Sequence, residues 1–453
     1  MTWDEVTGLL HGADWKGMKA GLTRIRELLS LLGNPERGLR FVHIAGTNGK
    51  GSAAAMLSCM LTLAGYRTGR YISPHLMSMN ERFSVDGEEI SDDFLIELAG
   101  RVRLAAEQMD EKPSNFELLT AISFLYFAAS RCDVVVLEVG LGGRLDATNV
   151  IETPLVSLIM NIGLEHTKEL GDTLAQIAFE KGGIIKQDGD VVLYHQSEDV
   201  MRTIGEICKE RKASLTVTKP SLLTLTDQGT LDDDTGKAPL QVFSYRERHD
   251  VRLSLLGAHQ IRNAAVVLDT ISLLTGRHGF HIPEEAVRKG LSLVKWPGRF
   301  QVLSRHPLFL LDGAHNPNGT QALADCVRQY LSGRRLILLM GVMADKDYGE
   351  MLDIMASVCM DPDNRITVSR FLAQAPDESR ALSTKELKRA IGERFPESMV
   401  EACESVQAGM ERALALARED AGTAVLAFGS LYQAGEILEL STSGIIDKEN
   451  GNT

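Results

Sequence analysis

The chain is 453 residues long and 44% hydrophobic, enough to bury large cores, and that length suggests about two to four domains. With 61 acidic against 48 basic residues its formal charge is −13, which argues against nucleic acid or an anionic membrane as a partner, so any anionic ligand must be held locally. The six cysteines (Cys59, Cys132, Cys208, Cys326, Cys359 and Cys403) show no CxxC spacing and fit free thiols in a reducing cytoplasm.

The first stretch, MTWDEVTGLLHGADW, lacks a basic start followed by an apolar region, so no secretion signal is read there. FVHIAGTNGKGS, Phe41 to Ser52, is a short apolar strand breaking into a glycine turn that carries one lysine, followed by an Ala-rich helical run over 53–63. Gly46, Gly49 and Gly51 free backbone N–H groups to face an anion, Lys50 adds a positive charge and the Ser52 hydroxyl suits Mg²⁺. The pattern departs from the common phosphate loop, because Ile44 and Gly51 stand where Gly and Ser/Thr are usual. A plain strand-to-helix turn with a solvated lysine is the bland alternative. The apolar run Leu118 to Ala129 is too short to span a bilayer and reads as a buried helix.

Further along, DVVVLEVG (133–140), PLVSLIMNIG (154–163) and DVVLYH (190–195) join FVHIA as unbroken apolar runs, the mark of a parallel sheet covered on both faces. Residues 196–260 are more polar and alternate, predicting hairpin strands and loops, with a solvated turn at Asp232, Asp233 and Asp234. A helix is predicted from His259 to about Thr275. After Trp296-Pro297-Gly298 the strand–loop–helix alternation restarts without a Gly-Lys loop. The expected division is therefore an α/β, mostly parallel, P-loop-type ATPase domain over 1–297, a smaller Rossmann-like α/β domain over 298–440, and a mobile tail over 441–453. Asp312, His315, Lys346 and Ser430 fall where strands of the second domain end, the usual ligand side of such sheets.

Polar residues also follow apolar strands or open helices in SPHLMSMNERF, LEVGLGGRLDATN, NIGLEHTKELG and FEKGGIIK. Taken singly, Glu138 could sit on an exposed edge, His166 could be a structural histidine and Lys181 a surface lysine. Taken together they offer hydroxyl, carboxylate and imidazole groups suited to Mg²⁺ beside a nucleotide phosphate.

LLGNPERGLRFVHIAGTNGKGS, YISPHL, NERF, FELLTA, LEVGLGGRLDATNV, EHTKELG, EKGGIIK, LGAHQIRNA, WPGRFQ, LDGAHNPNG, GVMADKD and FGSLYQAGE run in order along nearly the whole chain. With them the chain resembles the folylpolyglutamate synthase and dihydrofolate synthase family of the Mur ligase superfamily. The resemblance implies an ATP-dependent, cytoplasmic, monomeric amide ligase that adds L-glutamate to dihydropteroate, to the γ-carboxylate of folates, or to both, through an acyl phosphate. It assigns ATP to Asn48, Gly49, Lys50, Gly51, Ser52, Asn263, Arg299 and Asp312, and two Mg²⁺ ions to Ser52, Ser73, Glu138 and His166. Lys50, His166, Lys181 and His315 become catalytic candidates, Lys181 matching a lysine that is carbamylated. The pterin falls to Ser114, Asn115, Phe116, Glu117, Leu145, Asp146 and Ala147, and the incoming glutamate to His315 and Ser430. Departures from the family pattern are Glu165 before His166 in place of Asp, Ser114 in place of Thr, and Gly182 in place of Ala. A ligase confined to folylpolyglutamates, a Mur-type amino-acid ligase on a cell-wall precursor, and a non-catalytic ATP switch are the rival readings.

Overall fold

The computed structural model describes residues 2–11, 21–231, 239–420 and 422–444. The acidic turn at Asp232 to Asp234 and residues 445–453 of the expected tail lie outside them. Contacts divide the chain into two compact units: Met1–Thr224 with Ser244–Val251 and Arg262–Val294, and Leu225–Phe243 with Arg252–Ile261 and Lys295–Thr453.

The first unit is built on an eight-stranded sheet. Its strands are β1 (Phe41–Ala45), β2 (Thr68–Tyr71), β3 (Phe83–Val85), β4 (Glu88–Glu89), β5 (Val134–Glu138), β6 (Val156–Ile159), β7 (Asp190–Leu193) and β8 (Ser214–Val217). They lie in the order β4-β3-β2-β5-β1-β6-β7-β8, all in one direction except β3, which pairs antiparallel with both β2 and β4 at one edge. Every residue of β1 and β5 is buried, as strands covered on both faces require. Parallel pairing sets Ile44 opposite Glu138, so β1 and β5 deliver their following loops to the same edge. The apolar run after Ser114 is a helix, Asn115–Ala129, buried from Glu117 to Phe127.

Residues 196–260 depart from the expected hairpins and loops. They open with a helix, Glu198–Glu210, which buries Val200, Ile204 and Cys208, four residues apart on one face. That helical period lay within a polar, charged sequence whose composition suggested the rim of a domain. β8 then pairs in parallel with β7 as a regular sheet member. Only β9 (Leu223–Asp227), β10 (Gln241–Tyr245) and β11 (Arg248–Leu253) form the small meander, in the order β11-β10-β9. The next helix spans Ala258–Arg277.

The second unit carries a six-stranded sheet of β12 (Gln301–Arg305), β13 (Leu308–Leu311), β14 (Arg335–Met340), β15 (Thr367–Ala373), β16 (Val400–Ala402) and β17 (Thr423–Phe428). The order is β12-β13-β17-β14-β15-β16, with only the β12–β13 hairpin antiparallel. Leu310, Leu338, Phe371, Leu426 and Phe428 anchor its core. The last helix, Leu431–Thr442, runs two residues into the expected tail.

Candidate active site

Around residues 46–52 the chain is held from several sides. A Cβ on Gly46 would stand 2.6 Å from that of Met160, so only glycine lets the two strand ends approach. Thr47 donates its N–H to the Asn161 carbonyl at 2.7 Å, and its hydroxyl exchanges hydrogen bonds with the backbone of Gly163 at 3.1 and 3.2 Å. Asn48 donates to the same Asn161 carbonyl at 3.3 Å. Gly49 turns the chain at φ 88°, and a side chain there would meet the Asn263 Oδ1 at 2.7 Å, so Asn263 lies directly against the turn. The helix Lys50–Leu63 starts here with no side-chain cap. Its first N–H groups therefore keep their capacity for an anion, with the helix dipole favouring negative charge. Gly51 and the buried Ser52 lie in that first turn.

Three charged groups surround this loop. Lys50 donates its Nζ to the Thr47 carbonyl at 3.2 Å and stands 3.9 Å from Glu138 Oε1. Glu138 is 4% exposed at the end of β5, and its Oε2 accepts the Ser73 N–H at 3.3 Å. Its interruption of an apolar strand is thus a carboxylate delivered to the loop, not an exposed edge residue. Lys181, buried near the end of the helix Leu174–Gly182, donates its Nζ to the Gly46 carbonyl at 2.8 Å. Burial, and secondarily the charge of Lys50, lowers its pKa to about 7, against the opposing pull of Glu165 and Asp146. The Gly182 departure has a packing cause: a Cβ there would press on Ile207 Cδ1 at 2.5 Å. His166, at φ 52°, is exposed and opens the short helix Thr167–Leu170. Among the described residues no three or more His, Cys, Asp or Glu side chains form a metal-holding group. A cation at this edge would need hydroxyls, water and phosphate oxygens beside Glu138, the usual condition of Mg²⁺ in nucleotide sites.

The segments assigned to the pterin converge around Gly140. Ser114 caps the helix Asn115–Ala129 in a capping box: Glu117 donates its N–H to the Ser114 hydroxyl at 3.3 Å, and Glu117 Oε2 accepts the Ser114 N–H at 2.7 Å. The same oxygen accepts Arg24 Nε at 3.1 Å, while Arg24 also reaches Glu111 at 3.3 Å. Phe116 covers Gly140 so closely that a Cβ there would lie 2.4 Å from its ring. Leu145 is 37% exposed, whereas Asp146 is buried and caps the turn Ala147–Val150. Arg24, Thr47, Asn161, Thr148 and His43 were not singled out by sequence reasoning, although all but Arg24 lie inside the motifs quoted above.

In the second unit Asp312 follows β13 and accepts Phe300 N–H at 2.7 Å and Ala314 N–H at 2.8 Å. Burial raises its pKa, opposed by the nearby Arg299 charge and those two bonds. Arg299 donates to the Gly298 carbonyl at 2.9 Å. His315 lies with Nδ1 2.8 Å from the Gly313 carbonyl, which places a proton on that nitrogen. Ser430 is buried and caps the helix Leu431–Thr442 by accepting the Tyr432 N–H at 3.0 Å.

Residues 44–271 match the Mur ligase middle domain and residues 298–431 the Mur ligase glutamate ligase domain. The dihydrofolate synthase/folylpolyglutamate synthase of Bacillus subtilis is 36% identical over 359 residues, covering 77% of this chain and 82% of that one. The chain belongs to the folylpolyglutamate synthase and dihydrofolate synthase family. This member of the family also aligns with the Mycobacterium tuberculosis folylpolyglutamate synthase solved with ADP and AMPPCP, at TM-score 0.85 and 31% identity over 97% of this chain and 98% of that one. Escherichia coli FolC in complex with DHPP and ADP aligns at TM-score 0.81 and 27% identity, over 97% of each chain. As a folylpolyglutamate/dihydrofolate synthase, the protein is an ATP-dependent glutamate ligase of the Mur type with small-molecule substrates. Among the described residues no helix is long and apolar enough to cross a membrane.

Proposed function

We propose that this ligase is bifunctional, adding L-glutamate both to dihydropteroate and to the γ-carboxylate of folyl glutamates. The observation that carries the reading is the convergence of Lys50, Lys181 and Glu138 on one uncapped helix start. The complex of the E. coli relative with DHPP and ADP supports the dihydropteroate arm. A substrate carboxylate oxygen attacks the γ-phosphorus of ATP, ADP leaves, and an acyl phosphate results. The glutamate amine then attacks the acyl carbon, phosphate leaves, and a proton passes to solvent. Lys50 and the N–H groups of residues 49–52 offset the phosphate charge, which is the chief requirement of phosphoryl transfer. No protein nucleophile takes part.

Glu138 with the hydroxyls of Ser52 and Ser73 forms a hard oxygen set that fits Mg²⁺, with His166 as a further ligand. When bound, Mg²⁺ would supply charge neutralisation at the phosphate oxygens. Lys181 is neutral often enough near pH 7 to add CO₂: its nitrogen bonds to carbon, one proton leaves, and a carbamate anion remains. Asn48 and Asn263 add nucleotide contacts in the first unit, and Arg299 and Asp312 are the nucleotide-contacting candidates of the second. Ser114, Asn115, Phe116, Glu117 and residues 145–147 take the pterin, while His315 and Ser430 take the incoming glutamate. In this reading residues 1–297 serve ATP and pterin, residues 298–440 serve glutamate ligation, and the enzyme works as a cytoplasmic monomer, in keeping with six free cysteines.

Parallel incubations with ATP, Mg²⁺, L-glutamate and either dihydropteroate or tetrahydrofolate, analysed by mass spectrometry, test the proposal. One added glutamyl unit on both substrates is expected. Addition to tetrahydrofolate alone restricts the enzyme to polyglutamylation, and addition to neither overturns the substrate assignment.

A further inference from the structure

β1 is apolar except at its centre, where His43 is fully buried between Val42 and Ile44. A polar ring in the middle of a sheet covered on both faces is costly unless it makes a hydrogen bond. The His43 Nε2 lies 2.8 Å from the hydroxyl oxygen of Thr148, and that oxygen lies 2.5 Å from Asp146 Oδ1. Asp146 Oδ1 also accepts the Thr148 N–H at 2.9 Å, and Oδ2 accepts the Leu141 N–H at 2.9 Å. A hydroxyl has one proton, and an ionised carboxylate only accepts. Thr148 therefore donates to Asp146 and accepts from His43 Nε2–H, which fixes both the imidazole tautomer and the direction of the chain.

We infer that His43 is a positioning residue: through the Thr148 hydroxyl it holds the Asp146 carboxylate, and with it the loop from Leu141 to Ala147 that presents the pterin contacts. The inference rests on the assignment of residues 145–147 to the pterin. The imidazole has no second task in view, because its Nδ1 has no hydrogen-bond partner among the described residues. Burial, aided by the charge of Lys186, lowers its pKa to about 3, so it stays neutral and orients without shuttling protons. The middle of that span is tied to the helix Leu174–Gly182, by the Arg144 N–H to the Glu180 carbonyl at 2.7 Å and the Arg144–Glu180 ion pair at 2.9 Å, so the His43 chain holds its Asp146 end.

Steady-state kinetics of His43→Leu, His43→Gln, Thr148→Val and Thr148→Ser, paired with amide hydrogen exchange at Leu141 and Thr148, test the inference. In His43→Leu and Thr148→Val the KM for the pterin substrate is expected to rise about tenfold, the effect of losing one buried hydrogen bond, with kcat and the KM for ATP within about twofold. Exchange at Leu141 and Thr148 should quicken in both, and His43→Gln and Thr148→Ser should recover most of each effect. The double variant His43→Leu/Thr148→Val should be no worse than Thr148→Val alone. Unchanged exchange in His43→Leu overturns the inference whatever the kinetics. So does a parallel fall in kcat and both affinities that follows the loss of thermal stability. Asp146→Asn tests the underlying assignment separately: an unchanged pterin KM there, with exchange quickened in His43→Leu, overturns the assignment and leaves the linkage a structural one.

Discussion

The two units use the same strand–loop–helix grammar but treat their loop ends differently. In the first, the helix after β1 begins without a cap and is surrounded by Lys50, Lys181 and Glu138. In the second, the helix after β13 is capped by Asn316 and the helix after β17 by Ser430, while the Asp312 carboxylate is bound by two backbone N–H groups of its own loop. Donors left open suit a phosphate that must be gripped and released, whereas satisfied donors suit a fixed wall. Lys50→Ala tests the open end most directly. Amide formation should fall about 10³-fold, the scale of losing a principal charge-stabilising donor, with an unchanged circular dichroism spectrum.

Glycine replacements sharpen the contrast. Gly49 and Gly333 both sit at positive φ, 88° and 77°, but Asn263 stands against the first and nothing lies within 4 Å of the second. Gly333→Ala should cost about 1 kcal/mol, the left-handed penalty alone. Gly49→Ala adds overpacking and should cost about 3 kcal/mol in all. Thermal denaturation of the two variants side by side gives the difference, and equal losses would show that Asn263 yields freely.

The groups at the two ends also titrate in opposite senses. Lys181 has a folded-state pKa of about 7 against 10.5 unfolded, so between those values the unfolded chain binds the extra proton and stability rises with pH. Asp312 is raised above its ordinary 3.8, so the folded state holds the extra proton just above that pH and stability falls as pH rises through its folded pKa. Each contributes at most about 1.4 kcal/mol per pH unit. Urea unfolding across pH in CO₂-free buffer should lose the alkaline rise in Lys181→Met and the acid-side fall in Asp312→Asn.

Much of this was legible in the chain because periodicity and glycine placement are local signals. FVHIA, the glycine turn and the Ala-rich run became β1, the loop and its helix, and DVVVLE became β5 with Glu138 at its end. The helix Glu198–Glu210 carries a full amphipathic face of Val200, Met201, Ile204, Ile207 and Cys208, and it was overlooked because the segment was read by its polar composition and not by its helical period. Partnerships across many residues were beyond reach: Arg24 meets Glu117 and His43 meets Thr148 only because the fold brings them together. Nothing in the local pattern of a strand centre distinguishes a histidine with a task from one merely buried.

The smallest expected effect comes from the capped end. Ser430→Ala leaves the Tyr432 N–H without its acceptor and should cost about 1 kcal/mol, while Ser430→Gly, which lets water and backbone adjust, should cost only a few tenths. Neither change touches the open donors at residues 49–52, so the rise in melting temperature on adding ADP should match the wild type in both variants and vanish in Lys50→Ala. A loss of that rise in Ser430→Ala would mean that the capped helix start grips phosphate as the open one does, and the distinction between a gripping end and a fixed wall would fail.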